Sequence, residues 1–252
     1  MPRRIYWSNL RALLSRPPVI AAAANEHERV TSFLAQMTPG EVWASLVVQI
    51  AVVGGAAAGY RLLHSGAIAE IMPEVLLRLD NDVARAGLVH DVLRRSGVRF
   101  VGSRRPATKA RAIAALLYHP KVIQDGACVF RDTVTATRRE AADDATLRRM
   151  MVAWAVPGFG PKSTSDWLNN RRVTTDLIAF DVRVCRILQS FAGPDFSQSR
   201  VARLPAYEAA EDRCRRHLAI PLDASLSEID KRLFVVGEYV REGEAGQRGK
   251  GS

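Results

Sequence analysis

Two side chains in the stretch VPGFGPKSTSDWLNNRRVTTDLIAFDVRVCRIL, Val156 to Leu188, have types and a setting that can do chemistry. Lys162 offers an amine and Asp181 a carboxylate. A neutral lysine amine is a nucleophile, and it is kept neutral by burial or by a neighbouring cation. A carboxylate fixed nearby stabilises positive charge that develops when a bond to a leaving group breaks. Each residue also has a plainer reading. A lysine beside a glycine turn can simply contact phosphate, and Asp181, just ahead of Val184, Ile187 and Leu188, suits the N-cap of a helix.

The elements that would position this pair are helical. Leu147, Met150, Met151 and Trp154 recur at i, i+3, i+4 and i+7, which predicts one apolar stripe of a helix. Pro157, Gly158 and Gly160 are expected to end it, and Pro161 suits the first position of the next helix, where Thr164, Trp167 and Leu168 repeat the spacing. The result is a helix-hairpin-helix. Main-chain N–H groups in such a turn lie where the following helix puts its positive end, a setting that accepts phosphate. Gly158, Phe159 and Gly160 are therefore candidate DNA contacts, and Arg148, Arg149, Arg171 and Arg172 are expected to add charge around them. A second cluster, Arg99, Arg104, Arg105, Lys109 and Arg111, surrounds Pro106 at an expected helix start; Arg104 and Arg105 are its candidate DNA contacts, against the alternative of a solvated face.

VPGFGPK resembles the LPGxGxK segment of the helix-hairpin-helix/GPD superfamily of base-excision DNA glycosylases, and IAFDVRVCRIL resembles its aspartate segment, with Arg183 where that pattern has histidine. GVRFVGSRRPATKARAI (Gly97 to Ile113) and YEAAEDRCRRHLAIPLDASLSEIDKRLF (Tyr207 to Phe234) are similar to segments of one branch, the archaeal-type 8-oxoguanine DNA glycosylase/lyases. The resemblance extends from about Glu41 to Phe234. It implies that Lys162 attacks C1′ of the damaged nucleoside, that Asp181 assists departure of the base, and that the Schiff base then permits strand cleavage by β-elimination. Relatives that only remove the base carry another residue at the lysine position, so Lys162 points to the bifunctional class.

The same resemblance implies an all-α protein of two helical domains with the active site in the cleft between them. Residues 1–50 and 177–240 would form one domain, and 51–176 a six-helix barrel ending in the hairpin. The glycine-rich, polar residues 241–252 are expected to be disordered. Periodic segments elsewhere, Ile113/Leu116/Leu117 and Ile229/Leu233/Val236, agree with the all-α reading, and strand signals are scarce.

With 36 Lys+Arg against 26 Asp+Glu, a net charge of +10 suits a phosphate backbone as partner, although a GC-rich genome also produces arginine. The expected partner is double-stranded DNA with a damaged base, bound by a monomer in the cytoplasm, at the nucleoid. The uncharged run Val42 to Tyr60 reads as a buried core helix followed by a turn rather than a membrane span, and no signal peptide is recognised. Cys128, Cys185 and Cys214 are one too few for the four-cysteine iron–sulfur cluster of some superfamily members, and His27, His64, His90, His119 and His217 have no ligand spacing. No metal and no cofactor are expected.

Substrate identity is the open point. The chain runs on past the resembling region to Ser252, carries Phe234 in place of what the branch pattern has as tryptophan, and offers Gly54 and Gly55 where relatives insert a polar side chain into the DNA stack. The expected substrate is 8-oxoguanine, with another modified base as one alternative and a non-catalytic helix-hairpin-helix DNA-binding protein as the other.

Overall fold

The computed structural model describes residues 6–30, 32–52, 56–99, 101 and 107–248. The described chain is all-α. Thirteen α-helices are seen among these residues: α1 (Trp7–Leu14), α2 (Pro17–Val30), α3 (Pro39–Ala51), α4 (Ala56–His64), α5 (Pro73–Leu76), α6 (Asp82–Arg95), α7 (Thr108–Ala115), α8 (Phe130–Glu140), α9 (Asp144–Ala153), α10 (Pro161–Asn170), α11 (Val182–Ala192), α12 (Leu204–Cys214) and α13 (Leu226–Arg248). One short antiparallel hairpin interrupts them, β1 (Ile123–Gln124) and β2 (Ala127–Cys128). Its turn is Asp125–Gly126, with φ of 49° and 78°. Positive φ at both central residues is the two-residue hairpin geometry that an Asp-Gly pair favours.

The chain divides into two compact units. The middle unit comprises Phe33–Ala142 and Met150–Ser163. Its central helix, α3, starts with a capping box. Glu41 N–H donates to Thr38 Oγ1 at 3.3 Å, and Thr38 N–H donates to Glu41 Oε2 at 2.7 Å. Val42, Trp43, Leu46, Val47, Ile50 and Ala51 are all buried, so α3 is apolar nearly all round because it is enclosed by protein. Trp43 Nε1 donates to Ile71 O at 2.9 Å, which satisfies its one polar atom. Among the described residues no helix is long and apolar enough to cross a membrane.

The unit that contains both termini comprises Met1–Ser32, Asp143–Arg149 and Thr164–Ser252. Leu10, Leu14 and Val19 from α1 and α2 share one core with Val184, Ile187 and Leu188 of α11, Tyr207 and Cys214 of α12, and Ile229, Leu233 and Val236 of α13. The stripe expected over Ile229, Leu233 and Val236 is therefore the buried face of α13.

Both division points differ from those expected. The first falls after Ser32 rather than residue 50, because α3 buries its apolar residues in the middle unit. The second passes through α9 and α10 rather than after residue 176. Arg148 and Ser165 are bonded within the terminal unit, and Asn169 Nδ2 donates to Leu177 O at 2.9 Å. The backbone of α13 is described through Arg248, and residues 249–252 of the tail expected to be disordered lie outside the described residues.

Candidate nucleic-acid interface and active site

The hairpin is built in two steps. α9 stops at Ala153, earlier than the glycines that were expected to end it. Ala155 N–H donates to Val152 O at 3.1 Å, and Ala155 takes a left-handed φ of 56°. The chain then turns at Val156–Pro157–Gly158–Phe159, closed by Phe159 N–H donating to Val156 O at 3.0 Å. Proline second and a glycine with φ of 80° third is the pattern of a type II turn. Among the described residues the N–H groups of Gly158 and Gly160 donate to no protein acceptor, and both glycines are exposed. Such amides at the start of α10 can bind an anion.

Phe159 has a different role from the one its neighbours suggest. It is 6% exposed, and its ring lies 6.2 Å from that of Phe130 in an edge-on arrangement. Its side chain is a core plug beneath the hairpin, and its amide is used inside the turn. Pro161 and Lys162 open α10, with the Lys162 side chain half-buried. Thr164, Trp167 and Leu168 are buried as their spacing predicts.

The arginines around the hairpin do not form a free cationic ring. Arg148 is fully buried, and its Nη1 donates to Glu211 Oε1 at 2.8 Å. Burial opposes its charge, and the Glu211 and Glu208 carboxylates outweigh that, so its pKa is raised. Arg149 pairs with Glu208 at 3.1 Å, and Arg171 donates to Ser32 Oγ. Of the second cluster, Arg104 and Arg105 lie outside the described residues, as do Gly54 and Gly55. Arg99 and Arg111 are exposed. Lys109 is instead turned to structural use: its Nζ donates to Ala51 O at 2.8 Å and Arg99 O at 3.0 Å, and burial lowers its pKa.

Asp181 is the N-cap of α11. Its Oδ1 accepts from the N–H groups of Arg183 and Val184, both at 2.8 Å. Its Oδ2 accepts no hydrogen bond from any described residue, and the side chain is partly exposed. The cap thus fixes the carboxylate while leaving one oxygen available.

Leu177 to Phe180, the run before Asp181, is buried without being helix or strand. Its backbone is satisfied by side chains instead. Leu177 O accepts from Asn169 Nδ2 at 2.9 Å, Ile178 N–H donates to Glu211 Oε1 at 3.0 Å, and Ile178 O accepts from the Tyr207 hydroxyl at 2.6 Å. Ala179 N–H donates to Asp230 Oδ1 at 3.2 Å, and Phe180 N–H donates to the Tyr207 oxygen at 3.3 Å. Buried main-chain groups need such partners. Burial raises the Glu211 carboxyl despite Arg148, and it pushes Asp230 up to about 7.

Solved structures with this architecture are informative. The Methanocaldococcus jannaschii 8-oxoguanine glycosylase/lyase in complex with a 15mer DNA containing 8-oxoguanine matches with a TM-score of 0.62 at 17% identity, over 87% of this chain and 89% of that one. A structure of M. jannaschii 8-oxoguanine DNA glycosylase matches with 0.63 at 16% identity over 94% of both chains. The Thermotoga maritima 8-oxoguanine DNA glycosylase matches with 0.66 at 15% identity, over 92% and 97%. The chain has the fold of these glycosylases. No family model and no curated protein matches it.

Within that fold the residues missed by sequence reasoning are Glu211, Tyr207, Asn169 and Asp230. All four lie in segments already noted for other reasons, but nothing local marks a side chain that will serve a backbone group eight to fifty-one residues away. Arg183, in the histidine position of the pattern, places its guanidinium 4.4 Å from the Phe234 ring centre. Gly237 makes the approach possible, since a Cβ there would stand 3.1 Å from Arg183 Cβ. The two departures from the pattern therefore pack on one another.

Proposed function

We propose that this protein is a base-excision DNA glycosylase with an associated lyase activity, acting on an oxidised purine in duplex DNA. The observation that carries the reading is a phosphate-ready hairpin, whose two exposed glycine amides have no acceptor among the described residues, that feeds directly into the helix bearing Lys162, in a chain with the fold of the 8-oxoguanine DNA glycosylases. Gly158 and Gly160 amides hold the DNA backbone. The target nucleotide leaves the stack, as chemistry on a base in a duplex requires.

Neutral Lys162 Nζ attacks C1′ of that nucleotide, the bond from C1′ to the base nitrogen breaks, and its electron pair leaves with the base. The Asp181 carboxylate stabilises the positive charge that grows on the sugar during this step. Loss of a proton from the amine and opening of the sugar ring produce the Schiff base. That cation acidifies the C2′ proton, whose removal expels the 3′ phosphate. The substrate is 8-oxoguanine, the base on which the M. jannaschii and T. maritima glycosylases of the same fold act.

Borohydride reduction in the presence of duplexes carrying 8-oxoguanine opposite each of the four bases, beside a panel of other lesions, tests this directly. A trapped covalent adduct with 8-oxoguanine DNA is expected. Trapping with another lesion alone keeps the chemistry and changes the substrate; DNA binding without any adduct or base release favours a binding protein.

A further inference from the structure

We infer that Glu211, held by Arg148, is a positioning residue for Asp181; the catalytic part of this inference rests on the function proposed above. Glu211 Oε1 receives two donors at once, Arg148 Nη1 at 2.8 Å and Ile178 N–H at 3.0 Å. Ile178 is three residues ahead of Asp181 in a segment that makes no helix or sheet bonds, so the register of Asp181 depends on such side-chain anchors. Tyr207, one turn before Glu211 on the same helix, holds the same segment through Ile178 O and Phe180 N–H. The Arg148 guanidinium stacks 4.8 Å from the Tyr207 ring centre, and Nη1 reaches Ser165 Oγ at 3.3 Å. Ser165 lies on α10, one turn along from Lys162. One buried guanidinium thus touches the helix that carries the candidate nucleophile, and orients the carboxylate that anchors the segment leading into the candidate Asp181.

Stability alone is a poor reason for this arrangement. Both charges are withdrawn from water, with Arg148 side-chain exposure at 0% and Glu211 at 2%; among the described residues Arg148 Nε and Nη2 have no hydrogen-bond partner, Nη2 lying 3.5 Å from Glu208 Oε1. A buried ion pair is often replaceable by apolar residues without loss of stability, whereas removing one partner leaves a costly lone charge. The distinctive service of Glu211 is the acceptor it presents to Ile178.

The test compares two charge-free variants, Arg148→Met/Glu211→Met and Arg148→Met/Glu211→Gln. Only the second retains a carbonyl acceptor for Ile178 N–H. Two readouts are taken: amide exchange at Ile178, Arg183 and Val184, and the single-turnover rate of base release under saturating protein, with duplex affinity measured separately. In the Met/Met variant these amides are expected to exchange at least tenfold faster and base release to slow at least tenfold, with affinity unchanged within about threefold; the Met/Gln variant regains most of both. Should Met/Met fail to fold, Glu211→Asp, which keeps the charge and shortens the reach, takes its place with the same expectation. Unchanged amides in the Met/Met or Asp variant overturn the inference, as does full loss in Met/Gln with Ile178 still protected. If the wild-type protein releases no base, the proposed function fails by itself, and amide exchange still decides whether Glu211 anchors the Asp181 segment.

Discussion

A Cβ built on Gly158 would stand 2.7 Å from Cγ1 of Ile50, in a residue whose φ is already 80°. Glycine is required twice there, by backbone conformation and by space. At Gly160 neither holds, because φ is not left-handed and nothing lies within 4 Å of an added Cβ. Gly158→Ala is expected to lose about 1–3 kcal/mol of stability and to weaken damaged and undamaged duplexes alike. Gly160→Ala should melt within about a degree of the wild type, being an ordinary surface change. Thermal melting and duplex titration of both variants check the contrast.

Lys162→Gln is expected to abolish borohydride trapping and strand cleavage. Duplex affinity should stay within a few-fold, since one cation contributes little to an interface of many phosphates. Persistent trapping in this variant would remove Lys162 from the chemistry.

For Asp181→Asn the expected pattern is loss of base release with an unchanged melting temperature. Asparagine caps a helix about as well as aspartate, so the bonds to the Arg183 and Val184 amides survive while the charge at Oδ2 disappears. A variant with full activity would mean that Asp181 only caps α11.

Asp230 should make stability depend on pH. Burial raises its carboxyl from 3.8 to about 7; Lys231 opposes the shift, and Asp166 and Asp181 add to it. Between those values the native protein holds a proton that the unfolded chain has released, so stability falls as pH rises through this window and levels off above it. The slope approaches about 1.4 kcal/mol per pH unit for one group. Asp230→Asn still accepts from Ala179 N–H but does not titrate, so it should remove this slope and melt higher than the wild type at pH 8. Identical slopes in denaturant unfolding from pH 4 to 8 would show that Asp230 is charged throughout.

Ala155→Gly is expected to stabilise the protein by about 0.5–1 kcal/mol. A left-handed alanine costs about 1–2 kcal/mol, and the added glycine entropy in the unfolded chain returns only part of that. Equilibrium unfolding measures the difference.

The helical stripes, the hairpin and the Asp181 cap were legible in the sequence because each is a local relationship. Apolar residues three and four apart share a helix face whatever the rest of the chain does, and a carboxylate before a helix meets amides two and three residues on. The Asp125–Gly126 turn was equally local and was overlooked among helical patterns. Charge was where local reading failed. Arg148 adjoins Arg149 in sequence and looks like surface, yet it is buried against Glu211, sixty-three residues away, whereas Arg149 is exposed. Phe159 sits between two exposed glycines and is core. Only the tertiary structure decided these, because burial is set by which distant elements cover a side chain, and a buried charge is tolerated only where a partner from elsewhere in the chain meets it.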